Sequence, residues 1–202
     1  MKKIIILFCY FFLNCLLLSA QNEWKLSREG NGIKVYTQKA ADSKFKSVKV
    51  ECILAGNIEK LVSILKNVNG NIKWVYNTKR TYSIRTVNKN EFIYYAETAL
   101  PWPLTNRDMV INMLFIYDSL DKKLLVKATG LKDAVPKNNN IIRIPYFDGL
   151  WDVTTADDVH ISITYTLSID PGGSIPAWAY NKFVSKGPYN TFHNLSVLLK
   201  DE

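Results

Sequence analysis

The chain has 202 residues, a formal net charge of +8, three cysteines and two histidines. Its lysines are dispersed and no run of five basic residues occurs, which is typical of a solvated surface, so we predict no nucleic-acid partner. So few histidines and cysteines do not make a metal-ligand cluster, and no phosphate-binding glycine loop precedes a helix. We therefore also predict no metal and no cofactor.

Residues 1–20 have the order of a secretory signal peptide, with Lys2 and Lys3 before an apolar run over positions 4–18 and then Ser19-Ala20. An uncleaved membrane anchor is the alternative, but the run is shorter than the roughly 20 apolar residues that span a bilayer. We predict an exported protein, periplasmic or extracellular, whose residues 21–202 form a single domain, and we expect a monomer.

Cleavage would change the charge and the cysteine content of the mature chain. Losing Lys2 and Lys3 lowers the net charge from +8 to +6, and Cys52 becomes the sole remaining cysteine. An intramolecular disulfide is then excluded. Because Cys52 lies in a predicted strand, we expect a buried, unreactive thiol.

The first half of the domain alternates short strands with helical turns. Residues 24–32 are predicted as an irregular N-terminal segment, followed by strands over 33–38 and 45–54. Asn57 is a typical N-cap for a helix over 58–66, in which Ile58, Leu61, Val62 and Leu65 share one face. A second helical turn around 72–75 leads to strands over 81–87 and 91–98, which residues 88–90 join as a hairpin.

A stiff corner, Pro101-Trp102-Pro103, precedes the next strand, because proline fixes φ and lacks an N–H for a strand ladder. Side chains then alternate between two faces. One face carries Arg107, Met109, Ile111, Met113 and Phe115. An apolar stripe with one cation at its end suits a lipid-like molecule, held by its body and oriented by its polar head.

The second half predicts strands over 123–129, 141–146, 150–154 and 159–169, with a polar connection over 130–140 that is either a mobile lid or an ordinary surface loop. A long terminal helix is predicted from 175 to about 200. Its inner stripe is Tyr180, Val184, Gly187, Thr191, Leu195 and Leu198. The small residues Gly187 and Thr191 would leave space beneath the helix, although Gly187-Pro188 alternatively marks a kink.

Two segments together resemble the START family of lipid-binding domains: Pro-Trp-Pro-Leu-Thr-Asn-Arg-Asp at 101–108 and Ser-Ile-Asp-Pro-Gly-Gly-Ser-Ile-Pro-Ala-Trp at 168–178. The resemblance covers about residues 24–199. It implies an α+β helix-grip fold, in which a curved antiparallel sheet wraps around a long C-terminal helix with an apolar tunnel between them. It also implies binding of a lipid or other hydrophobic molecule, for transfer or sensing more often than for catalysis.

The resemblance also implies site residues. Arg107 and Asp108 match the family's Arg-Asp pair, Glu97 matches an acidic residue that precedes it, and Arg143 matches an arginine after the long loop. Met113 stands where some sterol-binding members place a second cavity arginine. Glu97 shares a strand face with Tyr95 and is expected to reach the cavity. The predicted ligand-binding set is Tyr95, Glu97, Arg107, Met109, Ile111, Met113, Arg143, Val184 and Thr191.

Several alternatives stay open at the level of the sequence. Arg107 either meets a polar group of the ligand or forms an ion pair with Glu97 or Asp108 that fixes the corner. Met109 and Met113 either line an adaptable cavity or fill the core.

Catalysis has little support, because neither His160 nor His193 has a nucleophile or carboxylate at a triad spacing, so we predict a non-enzymatic binding protein. One alternative is an aromatase/cyclase-like enzyme that uses Arg107, Glu97 and Tyr95 as acid and base. A second is a membrane-surface adaptor whose lysines dock on anionic lipid, and transient membrane contact is also compatible with a carrier.

Overall fold

The computed structural model describes residues 23–39, 43–118, 120 and 122–200, so the predicted signal peptide lies outside the described residues. These residues form a ten-stranded sheet. The strands are β1 (Lys25–Gly30), β2 (Ile33–Lys39), β3 (Lys46–Ala55), β4 (Thr78–Asn88), β5 (Glu91–Thr98), β6 (Arg107–Asp118), β7 (Lys123–Gly130), β8 (Ile142–Arg143), β9 (Tyr146–Asp157) and β10 (His160–Asp170). Their order is β1-β2-β3-β10-β9-β7-β6-β5-β4, antiparallel throughout, and the short β8 pairs with β6 in parallel.

The helices are α1 (Ile58–Lys66), a 3₁₀ turn (Val68–Gly70), α2 (Asn71–Trp74), α3 (Ala177–Phe183) and α4 (Lys186–Lys200). The bounds of α1 match the prediction, because the side chain of Asn57 accepts the backbone N–H of Lys60 at 2.8 Å and satisfies a free amide of the first turn. Within the described residues, no helix combines the length and the apolar character that crossing a bilayer requires.

One face of the sheet, which we call the inner face, holds the main core. Strand residues alternate between faces, so Val35, Val50 and Ile163 point inward and are almost fully buried. Helix α4 packs against this face through Phe192, whose ring lies 5.1 Å from that of Trp151. The predicted helix-grip architecture is therefore confirmed: a curved antiparallel sheet encloses a C-terminal helix.

The predicted terminal helix over 175–200 was wrong in one respect, because it is interrupted between α3 and α4. Pro188 explains the break, since its ring would clash with the carbonyl of Val184 four residues earlier in a continuous helix. The proline instead occupies the first turn of α4, where its missing N–H costs little. The interruption itself lies at Val184 and Ser185, so Pro188 limits how far α4 extends toward α3.

Several strands also differ from the prediction. Residues 25–30 form β1, whose side chains are mostly exposed, so no apolar alternation marks it in the sequence. Pairing with β2 holds it at the sheet edge. The predicted strand over 141–146 shrinks to the two residues of β8, while the one over 150–154 extends to the twelve residues of β9.

Candidate functional site

A cavity of about 210 Å³ lies between the inner face of the sheet and the two helices α2 and α4. Its wall includes Tyr94, Ala96, Met109, Ile111, Met113 and Thr191. The volume is below the roughly 300–1,000 Å³ that is typical of small-molecule pockets. A large lipid therefore fits only if an enclosing element moves.

The predicted residues Met109, Ile111, Met113 and Thr191 lie on this wall. The strand register explains the sheet part of it, because opposed residues of antiparallel strands point to the same face. Tyr94 is opposite Ile111, and Ala96 is opposite Met109. The sequence therefore places these residues correctly, whereas their contact with a ligand stays a prediction.

Tyr95 and Glu97 lie on the opposite, outer face, so the expectation that they reach the cavity was wrong. Tyr95 is opposite Val110 and Glu97 is opposite Asp108, all one residue out of phase with the cavity wall. The prediction placed Tyr95 and Glu97 on one strand face but lacked the register with β6 that decides which side of the sheet this face occupies.

Glu97 is buried but interacts away from the cavity. Its carboxylate lies 3.2 Å from the amine of Lys79 and 3.9 Å from Nε of Arg80, and it accepts a 2.8 Å hydrogen bond from the amide of Asn106. Arg107 and Glu97 therefore do not form an ion pair with each other. An ion pair of Arg107 with Asp108 is also absent from the described contacts, because Asp108 pairs with Arg143.

Arg107 is occupied by backbone carbonyls. Its Nε donates to Pro171 O and its Nη2 to Gly172 O, both at 3.2 Å, while Nη1 donates to Thr105 O. Gly172 and Gly173 have φ of +65° and +64°, a backbone conformation that favours glycine, in the turn that presents these carbonyls. Burial lowers the pKa of Arg107 from its ordinary value. The guanidinium ties the 101–106 corner to the turn before α3 and does not line the cavity.

Replacing Arg107 by leucine is expected to lower the free energy of unfolding by about 3 kcal/mol, because three carbonyls lose a charged donor. Arg107→Lys keeps the charge but not the forked geometry, so its free energy of unfolding should lie between those of the wild type and Arg107→Leu. Urea unfolding measures the difference. An unchanged midpoint for Arg107→Leu would show that these hydrogen bonds do not hold the corner.

Arg143 and Asp108 form a buried ion pair on the outer face. Nε of Arg143 lies 2.7 Å from Oδ1 of Asp108 and Nη2 lies 3.1 Å from Oδ2, and the two side chains are 3% and 1% exposed. Burial alone would raise the pKa of Asp108, but hydrogen bonds from Arg143 and Asn138 and the Arg143 charge outweigh it and hold that pKa below its usual value. Arg143, a predicted ligand residue, is therefore placed away from the cavity.

The segment over 130–140 is fixed to the outer face by the same ion pair and does not line the cavity, so of the two roles that the sequence left open the structure favours the surface segment over the lid. Arg143 donates to the carbonyls of Lys132, Val135 and Pro136 at 2.9–3.3 Å. Asn138 donates to Asp108 and to the hydroxyl of Tyr95, both at 3.1 Å. An arginine that satisfies three carbonyls of one segment holds it as a folded cover.

Helix α4 is held over the cavity by two hydrogen bonds to the segment that follows α2. The N–H of Tyr76 donates to Oγ1 of Thr191 at 3.0 Å, and the amide of Asn194 donates to Trp74 O at 3.1 Å. Val184, the remaining predicted residue, packs against the core between α3 and α4 but does not line the cavity. If a large ligand enters, α4 is therefore a better candidate for the element that moves than the segment over 130–140.

The cavity residues that sequence reasoning missed include Asn71, Trp74, Tyr94 and Tyr165. Tyr94 could have been predicted, because it lies two residues before Ala96 on β5 and so shares its face. Tyr165 lies on the apolar face of β10. Both rings keep some accessible surface although protein surrounds them, as expected for side chains that face a cavity. Burial raises the pKa of both tyrosines, so they are uncharged near neutrality.

Cys52 is buried on the inner face of β3, as predicted, and burial raises the pKa of its thiol to about 12. It is therefore protonated and a poor nucleophile at neutral pH. Within the described part of the chain, histidine, cysteine and carboxylate side chains form no group that is suited to a metal ion.

A second cleft, of about 380 Å³, lies at the far end of the sheet, where β6, β9 and β10 meet the start of α1. Its lining mixes carboxylates such as Asp157 and Asp158 with Lys122 and Lys123. His160, which the sequence placed on the polar side of the last strand, lies here 2.8 Å from Asp157. Exposed, mixed charges of this kind indicate a solvated surface rather than a lipid site.

Comparison with known proteins agrees with this geometry. Residues 13–198 match the START domain. The STAR-related lipid transfer protein from Xanthomonas axonopodis is 27% identical and superimposes with a TM-score of 0.82, covering 88% of this chain and 99% of that one. An uncharacterized protein from Pseudomonas aeruginosa is 27% identical over 86% of this chain and 85% of its own. The phosphatidylcholine transfer protein of Mus musculus is 23% identical over 83% of this chain and 79% of its own. The chain therefore belongs to the START domain family.

Proposed function

We propose that the protein is an exported, non-catalytic carrier that binds one hydrophobic molecule in the cavity beneath α4 and moves it between membranes. The observation that carries the proposal is the composition of the cavity wall, which is largely apolar. Among the described residues that line it, none is a histidine, cysteine or carboxylate, so the wall offers binding without an obvious acid, base or nucleophile. Relatives that are named as lipid transfer proteins support the same class of cargo.

Membrane contact is proposed at the end of the sheet where the corner meets α3. Trp102 is 92% exposed and Trp178 is 72% exposed. Arg107 links the two regions, because it follows the corner that contains Trp102 and donates hydrogen bonds to the turn that precedes Trp178. Tryptophan prefers the interface between headgroups and acyl chains. Lys44 and Lys46 lie at the same end, because Asn181 of α3 bonds their backbone, and they would favour an anionic surface.

Trp102→Ala is expected to weaken association with phosphatidylglycerol-containing vesicles about tenfold, because burying a large apolar side chain is worth roughly 1.5–3 kcal/mol. Vesicle sedimentation measures it, and Trp178→Ala should act in the same direction. Leu120→Ala is the matched control, since Leu120 is 94% exposed but lies beyond the opposite end of β6. Equal losses in the control and in Trp102→Ala would contradict docking at the corner.

Native mass spectrometry of the full chain, expressed and purified under gentle conditions, tests the carrier proposal directly. We expect about one lipid per chain, together with a mass that corresponds to loss of residues 1–20. Turnover of an offered ester or polyketide would instead support an enzyme. Salt-sensitive vesicle binding with no extractable cargo would support a surface adaptor.

A further inference from the structure

Two residues that line the cavity each carry a polar atom that is closed off from solvent and has no partner among the described residues. The indole N–H of Trp74 and the Oδ1 of Asn71 have no hydrogen bond to any described residue, although Trp74 is 4% exposed and Asn71 is 6% exposed. Both residues belong to α2 and line the cavity. A buried donor or acceptor that is left unsatisfied costs about 1–3 kcal/mol, so two in one wall call for an explanation.

The chemistry of these two groups is complementary. The indole N–H only donates, and an amide oxygen only accepts. A molecule that satisfies both must therefore accept one hydrogen bond and donate another. A hydroxyl group does this with a single oxygen, whereas an ether or an ester oxygen accepts but leaves Asn71 without a partner.

The rest of the wall excludes an ionised head group. In the described part of the chain, no residue that lines the cavity carries a formal charge, and Tyr94 and Tyr165 stay neutral. Arg107, which shares the face of β6 that carries Met109, is already bonded to three carbonyls. A phosphate or carboxylate brought into such a cavity would lose its hydration without gaining a counter-ion.

We propose that the cavity selects an uncharged lipid with a free hydroxyl, which accepts the N–H of Trp74 and donates to Oδ1 of Asn71. The inference rests on the proposed carrier function and deepens it by naming the class of cargo. The apolar part of the ligand lies along Met109, Ile111 and Met113. Selection arises because a ligand without the hydroxyl leaves at least the Oδ1 of Asn71 unsatisfied, so it satisfies only part of the α2 pair, Asn71 and Trp74.

Three probes of equal carbon number test the selection by isothermal titration calorimetry at pH 8: 1-decanol, nonyl methyl ether and decanoate. We expect the alcohol to bind at least about tenfold more tightly than the ether, which corresponds to one unsatisfied group avoided. Decanoate should bind more weakly than both because it is ionised. Equal affinity of alcohol and ether would overturn the proposal.

Variants of the α2 pair locate the effect. Asn71→Leu removes the acceptor that only the alcohol can satisfy, so it should lower the alcohol-over-ether preference about fivefold or more while affinity for the ether stays within about twofold. Trp74→Phe removes the donor that both probes can use, so it should weaken the alcohol and the ether by similar factors of about fivefold and leave the preference in place. Asn69→Leu, on the neighbouring 3₁₀ turn, and Trp24→Phe are matched controls that should change neither affinity. A preference that survives Asn71→Leu, or unchanged affinities in Trp74→Phe, would overturn the assignment to α2.

Thermal unfolding of the ligand-free protein gives a second readout. Asn71→Leu should unfold at a higher temperature than the wild type, because it replaces an unsatisfied buried acceptor with an apolar group. A lower unfolding temperature would contradict the unsatisfied state of Asn71. If no probe binds the wild type at all, the carrier function fails, whereas loss of selectivity alone leaves the carrier function intact.

Discussion

Arg143→Leu is expected to lower the free energy of unfolding by about 3–5 kcal/mol, since it leaves the carboxylate of Asp108 buried without its partner. It also removes the donor for three carbonyls of the 130–140 segment. Limited proteolysis should therefore cut the variant within 130–140 at protease concentrations that spare the wild type. Urea unfolding gives the size of the effect.

A double variant, Asp108→Leu with Arg143→Leu, separates the charge effect from the loss of the cover. It should be more stable than Arg143→Leu alone, because no unpaired charge stays buried, yet less stable than the wild type. If the double variant were no more stable than the single one, the buried carboxylate would not be the source of the penalty.

The difference in stability between the wild type and Arg143→Leu should change with pH in a definite direction. The pKa of Asp108 in the folded protein is held below its ordinary value of 3.8, so the stability it contributes is fully present above that pH and is lost as the pH falls through the folded pKa. In Arg143→Leu burial should instead raise the pKa of Asp108, so the variant is relieved of its buried charge already above pH 3.8. The difference in stability between wild type and Arg143→Leu should therefore be largest near neutral pH, begin to shrink above 3.8 and shrink further below it.

Ala96→Phe is expected to abolish cargo binding while the fold persists. Ala96 lines the cavity opposite Met109 on the neighbouring strand, so a phenyl ring there occupies space that the ligand needs. Overpacking costs about 1–3 kcal/mol, and a ring that enters an existing cavity should stay at the low end. Native mass spectrometry should detect at least about tenfold less lipid per chain, and transfer between vesicles should fall in proportion.

Ala134→Phe is the matched control for this substitution. Ala134 is exposed in the 130–140 segment on the outer face, so the same change in side chain leaves the cavity untouched. We expect full lipid occupancy in the control. Normal occupancy in Ala96→Phe would mean that the ligand binds elsewhere.

Local patterns in the sequence predict most of the elements because each has a strong local cause. Asn57 predicts the start of α1, and the apolar alternation of β6 predicts which of its residues face inward. The same alternation predicts that Met109, Ile111 and Met113 share a face. Local signals therefore determine the cavity wall that β6 supplies.

The errors at the site concern relations between strands, which no local pattern encodes. Whether Glu97 faces the cavity depends on its register with Asp108 across two strands, and a shift by one residue reverses the face. Arg143 meets Asp108 because β8 joins β6 in parallel, a pairing between residues far apart in sequence. The polar groups of Asn71 and Trp74 become visible as unsatisfied only when their whole surroundings are known.

Arg107 also constrains how the protein could deform at a bilayer. Because one guanidinium clasps Thr105, Pro171 and Gly172 together, the two projecting tryptophans cannot be pushed independently unless those bonds rupture. A force on Trp102 would be transmitted to the start of α3, and from there to the junction at Val184 and Ser185 where the chain enters α4. If the corner docks on a membrane as proposed, pressure at that surface would act on the helix that closes the cavity.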